Sequence, residues 1–170
     1  MRAPYFIQGL TDSGMVAYTA TAPGYRSRVA PVTMAPSGIM VVYSPYGAPD
    51  EAEVLRAKET HDGRPFTISL SEGKSAHLSL WTVYLDPRTR RGADITAQSL
   101  RPGVTATVDL KNSNPAVAKV PSSVSITGAT GPPMIEFVPI GVGQTVISVS
   151  TAAGFATPSN ATTVTAIVKE

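Results

Sequence analysis

Residues 104–110 read Val-Thr-Ala-Thr-Val-Asp-Leu. Val104, Ala106, Val108 and Leu110 point one way and Thr105, Thr107 and Asp109 the other. A period of two belongs to a strand with one buried face. Asn112-Ser113-Asn114-Pro115 then stops it. Asparagine and serine bond their own backbone and tolerate left-handed dihedrals, and proline fixes φ and removes a donor, so the chain has to turn. A second alternating run follows at 123–127.

The rest of the chain continues the theme. Of 170 residues, 42% are hydrophobic, enough for a real core, and only 15% are charged. Fourteen glycines and fifteen prolines, among many Ser, Thr, Val and Ala, favour short strands joined by turns. Further strands are expected at 38–43, 66–70, 76–85, 134–138, 145–151 and 162–168. Counting from Gly38, about eight strands at this spacing suit a two-sheet sandwich. The expected core is Leu78, Leu80, Val104, Val108, Leu110, Val124, Ile126, Phe137, Ile147, Val149, Val164 and Val168. Leu78 and Leu80 have one parity and Val83 and Leu85 the other, which predicts a bulge near Trp81 and Thr82. Residues 44–64 are the least readable. Pro49 and the acids after it suit either a helix of one to three turns or a decorated edge loop.

Ser113-Asn-Pro-Ala-Val-Ala-Lys-Val-Pro121, together with the Gly143-Gln-Thr-Val-Ile-Ser-Val-Ser150 strand, resembles the bacterial immunoglobulin-like domains repeated in large surface and secreted proteins. The similarity covers residues 76–170 well and 44–66 poorly. It implies an all-β immunoglobulin-like sandwich, an extracellular or cell-surface location, and noncatalytic scaffolding or adhesion without naming a ligand.

An internal match adds to this. Residues 16–25 (VAYTATAPGY) lie on 146–155 (VISVSTAAGF) without a gap, at an offset of 146 − 16 = 130. After a short insertion, 29–34 falls opposite the last strand. One sandwich plus a linker has about this length. Residues 1–37, with strands expected at 5–8, 15–22 and 26–34, therefore read as the closing strands of a preceding repeat, and 38–170 as a complete domain. The expected partners are neighbouring immunoglobulin-like repeats in the same chain or adjacent subunits of a fibre. Alone, residues 1–37 have too little apolar surface to offset the entropy of ordering them.

Catalytic chemistry is hard to find. There is no cysteine, which removes disulfides, zinc-thiolate sites and thiol catalysis. His61 and His77 are the only histidines, and no Gly-x-Ser-x-Gly or His-Glu-x-x-His occurs. Asp109 and Glu136 are a conceivable carboxylate pair. Both fall at solvent-facing strand positions. The 34–39 junction has no acid for a bridging calcium, and no Asp-x-Asp-x-Asp-Gly loop exists. No enzyme, cofactor or metal is expected. A net charge of +2 with scattered basic residues does not indicate nucleic acid, and the longest apolar run, 39–43, is too short to insert in a membrane. No signal peptide is recognisable at the N-terminus, so an export signal is expected outside this sequence.

Surface contacts are expected at Arg88, Arg90 and Arg91 in Asp86-Pro-Arg-Thr-Arg-Arg-Gly92, which could grip an anionic polysaccharide or a neighbouring subunit. Tyr46 and Trp81 complete the candidates. The alternative function, a carbohydrate-binding module appended to an extracellular enzyme, needs two or more of Tyr43, Tyr46, Trp81 and Tyr84 on one exposed face. Asn160-Ala161-Thr162 matches a glycosylation sequon and is given no weight.

Overall fold

The structure is a computed structural model and describes residues 9–44, 63–92, 98–128 and 132–170. The expected strand at 5–8, the helix or loop around Pro49 and Tyr46 lie outside these residues. Eleven strands are present among the described residues: β1 Met15–Ala20, β2 Arg28–Thr33, β3 Ser37–Tyr43, β4 Phe66–Ser69, β5 Ala76–Tyr84, β6 Thr105–Asn112, β7 Ala118–Lys119, β8 Ser123–Thr127, β9 Met134–Pro139, β10 Gly143–Val149 and β11 Thr163–Lys169.

β1 and β2 form a sheet of their own, while the others build two, in the orders β3-β5-β9-β7 and β4-β11-β10-β6-β8. The first order matches strands A-B-E-D of the immunoglobulin plan, and β11-β10-β6-β8 matches G-F-C-C′. β4 lies parallel to β11, pairing Phe66 with Ala166 through Ser69 with Lys169. The chain is thus an immunoglobulin-like β-sandwich. It departs from the usual chain order at β7, a two-residue strand that visits β9 before β8 returns to β6.

Alternation explains the core. Ala106, Val108 and Leu110 on β6 and Val164, Ala166 and Val168 on β11 are buried, and meet Ile39, Val41, Leu78, Leu80, Ile135 and Phe137 from the other sheet. Val104, Val124 and Val149, expected inside, are half-buried. Phe66 joins the layers. Its ring stacks on Tyr43 at 4.9 Å between centroids and meets Phe137 edge-on at 5.3 Å. These contacts tie a second-sheet strand to two first-sheet strands.

The expected bulge at Trp81–Thr82 is absent. β3 and β5 pair without interruption from Ser37 with Tyr84 to Tyr43 with Leu78. The phase change has another cause: β5 is buried on both sides. Leu78 and Leu80 face the main core, whereas Val83 and Leu85 join Met40 in a second cluster on the outer face, with Trp81, Ala156 and Ala161 packed against it. Remote segments cover that face. A Cβ on Gly92 would overlap Met40 Sδ, and one on Gly38 would sit 2.8 Å from Pro158 Cγ and 2.9 Å from Leu85 Cδ1. Both positions need glycine because side chains approach the bare backbone.

The strand directions define two rims. β3 begins, β5 ends and the β10–β11 connection turns at the upper rim, where the Ala156 amide donates to the Ser37 carbonyl. β11 runs from there for seven residues to Lys169, about 20 Å away. The sandwich therefore receives the chain at one rim and releases it at the other.

Candidate functional site

The seven residues from Asp86 to Gly92 form the tip of the β5–β6 connection at the upper rim. Pro87 cannot extend the strand, and the Asp86 carboxylate closes a turn on itself. Its Oδ1 accepts from the Arg88 amide (2.9 Å), the Thr89 amide (2.6 Å) and the Thr89 hydroxyl (2.9 Å). The Arg90 amide donates to the Asp86 carbonyl and the Asp86 amide to the Arg91 carbonyl, both at 2.9 Å. The base is anchored from the β10–β11 connection: the Ser159 amide donates to the Arg90 carbonyl (2.9 Å) and Gly92 N–H to Asn160 Oδ1 (2.8 Å). With its oxygen so engaged, Asn160 is a structural pin rather than an exposed glycan acceptor.

Among the described residues, two that are not glycine have positive φ, Arg90 at 58° and Ala161 at 52°. They lie in the two segments that pin each other. A left-handed conformation costs an L-residue with a Cβ about 1–2 kcal/mol. Arginine therefore occupies a position where glycine or asparagine would be more comfortable.

The loop also separates its charges. Hydrogen bonds from the Thr89 amide and hydroxyl and the Arg88 amide, with the Arg88 guanidinium adding to them, hold the Asp86 carboxyl below its ordinary value. A depressed folded-state pKa gives stability that is present above the unfolded value and lost as pH falls through the folded one. The loop should therefore be fully held at neutral pH and loosen only below the usual carboxylate range. An NMR titration of the Asp86 carboxyl carbon should give a midpoint below that of an aspartate in a model peptide. The same bonds aim the carboxylate at backbone rather than at arginine. Among the described residues, no carboxylate lies within 4.0 Å of the Arg88 or Arg90 guanidinium, while Arg91 has a partner of its own. Arg88, Arg90 and Arg91 are all exposed.

Among the described aromatic candidates, Tyr43, Trp81 and Tyr84 do not share one exposed face. Tyr43 is half-buried on Phe66, and Trp81 is half-buried against the Met40 cluster. Trp81 Nε1 and Asn160 Nδ2 are buried without a hydrogen-bond partner. Tyr84 is 41% exposed at the foot of the arginine loop, on the opposite side of β5 from Trp81. Asp109 and Glu136 project from the outer faces of opposite sheets, with the core between them, so they cannot flank one bond. Among the described residues no three His, Asp or Glu gather as a metal site. A shallow dent at the upper rim, lined by Ile39, Val149, Phe155, Pro158 and Thr162 among others, has no ionisable side chain in its wall.

The turn after β6 has its hub at Asn112, the first residue of the Asn-Ser-Asn-Pro stop. Asn112 Nδ2 donates to the Ala118 carbonyl (2.8 Å), and its Oδ1 accepts from the Asn114 amide (3.0 Å) and the Thr145 hydroxyl (2.5 Å). Asn114 makes weaker contacts, to the Ala116 amide at 3.3 Å and the Gln144 carbonyl at 3.5 Å.

No family model matches the chain, and no curated protein matches it. Two solved structures are similar at low identity. Domains 4 and 5 of the S-layer protein SbsC give a TM-score of 0.43 at 10% identity, over 93% of this chain and 66% of that one. The D00-D0 domain of intimin gives 0.43 at 14% identity, over 96% of this chain and 69% of that one. This chain therefore spans about two thirds of either length.

Proposed function

We propose that this chain is a noncatalytic structural module of a repetitive bacterial surface, secreted or filament-forming protein, a sandwich that spaces or links its neighbours. One observation supports it: β1 and β2 pair antiparallel with each other, as β10 and β11 do. Met15 pairs with Thr33, and Thr145 pairs with Ala166. The offset along the first strand is 145 − 15 = 130 and along the second 166 − 33 = 133, so a three-residue insertion in the turn carries one register onto the other. Residues 15–33 thus form an antiparallel hairpin in a sheet of its own ahead of the sandwich, as the F–G hairpin of a preceding copy would. A sandwich whose first strand starts at one rim and whose last strand finishes at the other suits modules strung end to end.

The inward residues do not repeat as well as the register. Ile147, Val164 and Ala166 correspond to Ala17, Pro31 and Thr33, a smaller and more polar set, and Val16, Tyr18 and Val32 fall at outward positions. A covering layer would meet a different surface from the one inside the complete domain. The hairpin still lacks such a layer: Leu10, Met15, Val16, Tyr25 and Val29 are each more than half exposed. A two-stranded hairpin is marginal by itself in water.

Trimming tests this. The cut belongs before Met34 rather than at Gly38, because Pro36 is buried and its carbonyl accepts the Leu85 amide at 2.6 Å. Residues 34–170 should remain a folded monomer with the melting temperature of the sandwich, and proteases should remove the hairpin of the full chain first. Loss of the folded state on trimming would show that the hairpin belongs to the sandwich, and would end the tandem reading.

A further inference from the structure

We propose that the arginine tip of the β5–β6 connection docks an acidic polysaccharide, with the Arg88 and Arg90 guanidiniums taking uronate carboxylates and the exposed Tyr84 ring lying against a sugar. Three features of the loop point this way. First, Asp86 is consumed by Arg88 and Thr89 backbone amides and the Thr89 hydroxyl, so the acid nearest the arginines serves the turn. Second, the tip is anchored. Ser159 and Asn160 hold its base, so two planar donor groups are presented with little backbone entropy left to lose. Third, Arg90 stands in a left-handed conformation at φ 58°. Strained backbone clusters at functional sites, and the Arg90 side chain is exposed.

The chemistry selects the partner. Guanidinium forks match carboxylates two bonds at a time, which lysine cannot do. Tyr84 lies two residues before the loop, and an aromatic face suits the apolar side of a pyranose. Nucleic acid is disfavoured because the loop interleaves no aromatic for base stacking and the whole chain carries only +2. This inference is independent of the tandem arrangement, since the loop belongs to the complete sandwich.

The test uses the full 170-residue chain with alginate as the polyuronate, neutral dextran as control and single-stranded DNA as the competing polyanion. Calorimetry at low salt should detect alginate and not dextran, with affinity falling as salt rises. Arg88→Gln combined with Arg90→Gly should weaken alginate binding about tenfold or more. Arg90→Gly alone should raise the melting temperature while weakening binding. A purely structural arginine would not give that opposed pair of effects. The proposal is overturned if alginate is not bound at low salt, if the double variant binds like wild type, if Arg90→Gly lowers the melting temperature, or if DNA binds more tightly than alginate.

Discussion

Asn112→Ala should destabilise the sandwich by about 2–4 kcal/mol, well above what its place in a polar turn suggests. The side chain serves three elements at once: the β7 carbonyl of Ala118, the Asn114 amide that opens the turn, and the Thr145 hydroxyl on β10. Ala118 is fully buried and Thr145 is 1% exposed, so neither orphaned group can turn to water. Each buried polar group left unmade costs about 1–3 kcal/mol. Thr145 keeps a partial alternative in Ser113 Oγ at 3.3 Å, which limits the loss. Asn114→Val removes only the longer contacts of an exposed side chain and should cost roughly 1 kcal/mol. Urea melts of the two variants separate the roles. If Asn114→Val proves the more damaging, the hub has been placed wrongly. A double-mutant cycle with Thr145→Val should also show coupling, since the two side chains share one hydrogen bond.

Phe137→Ala is expected to be the most damaging single change, at about 3–5 kcal/mol. The ring is fully buried, packs edge-on against Phe66, and through it supports the Phe66–Tyr43 stack that bridges the sheets. Truncation removes the apolar area, leaves a cavity between two sheets that cannot close independently, and loses an aromatic pair contributing roughly 0.5–1.5 kcal/mol. For a domain of this size the melting temperature should drop on the order of 10 °C. Phe137→Leu, which refills most of the space, should recover more than half of the loss. A Phe137→Ala protein that melts within a few degrees of wild type would mean that the sheets slide together. The bridge would then not fix their separation.

Sequence and structure divide the information unevenly. The alternation in β6, β10 and β11 was readable, because a strand that buries one face writes a period of two into its own residues, and so were most of the main-core residues on those strands. The arginine loop was legible as charge. Trp81 and Val83 were not. Their phase looked like a bulge because the pattern on a strand records that a face is apolar without recording what covers it. The cover is the 156–161 segment and Gly92, remote in sequence from β3 and brought there by the return from β10 to β11.

The same distinction governs the functional residues. Asn112 and Asn114 are equivalent turn formers as letters. Which of the two side chains reaches Thr145 depends on the β6–β10 register, a pairing 33 residues away along the chain. Arg90 is an ordinary basic residue in the sequence, and the sequence shows neither its φ of 58° nor the bonds from Ser159 and to Asn160 that hold the loop. By itself the sequence determined which stretches are strands, the main core face of most of them, and where charge is exposed, because propensity and periodicity are local. Tertiary structure alone decided the second buried face, the polar hub and the anchoring of the arginine tip, because each is made by groups that become neighbours only when the sheets close.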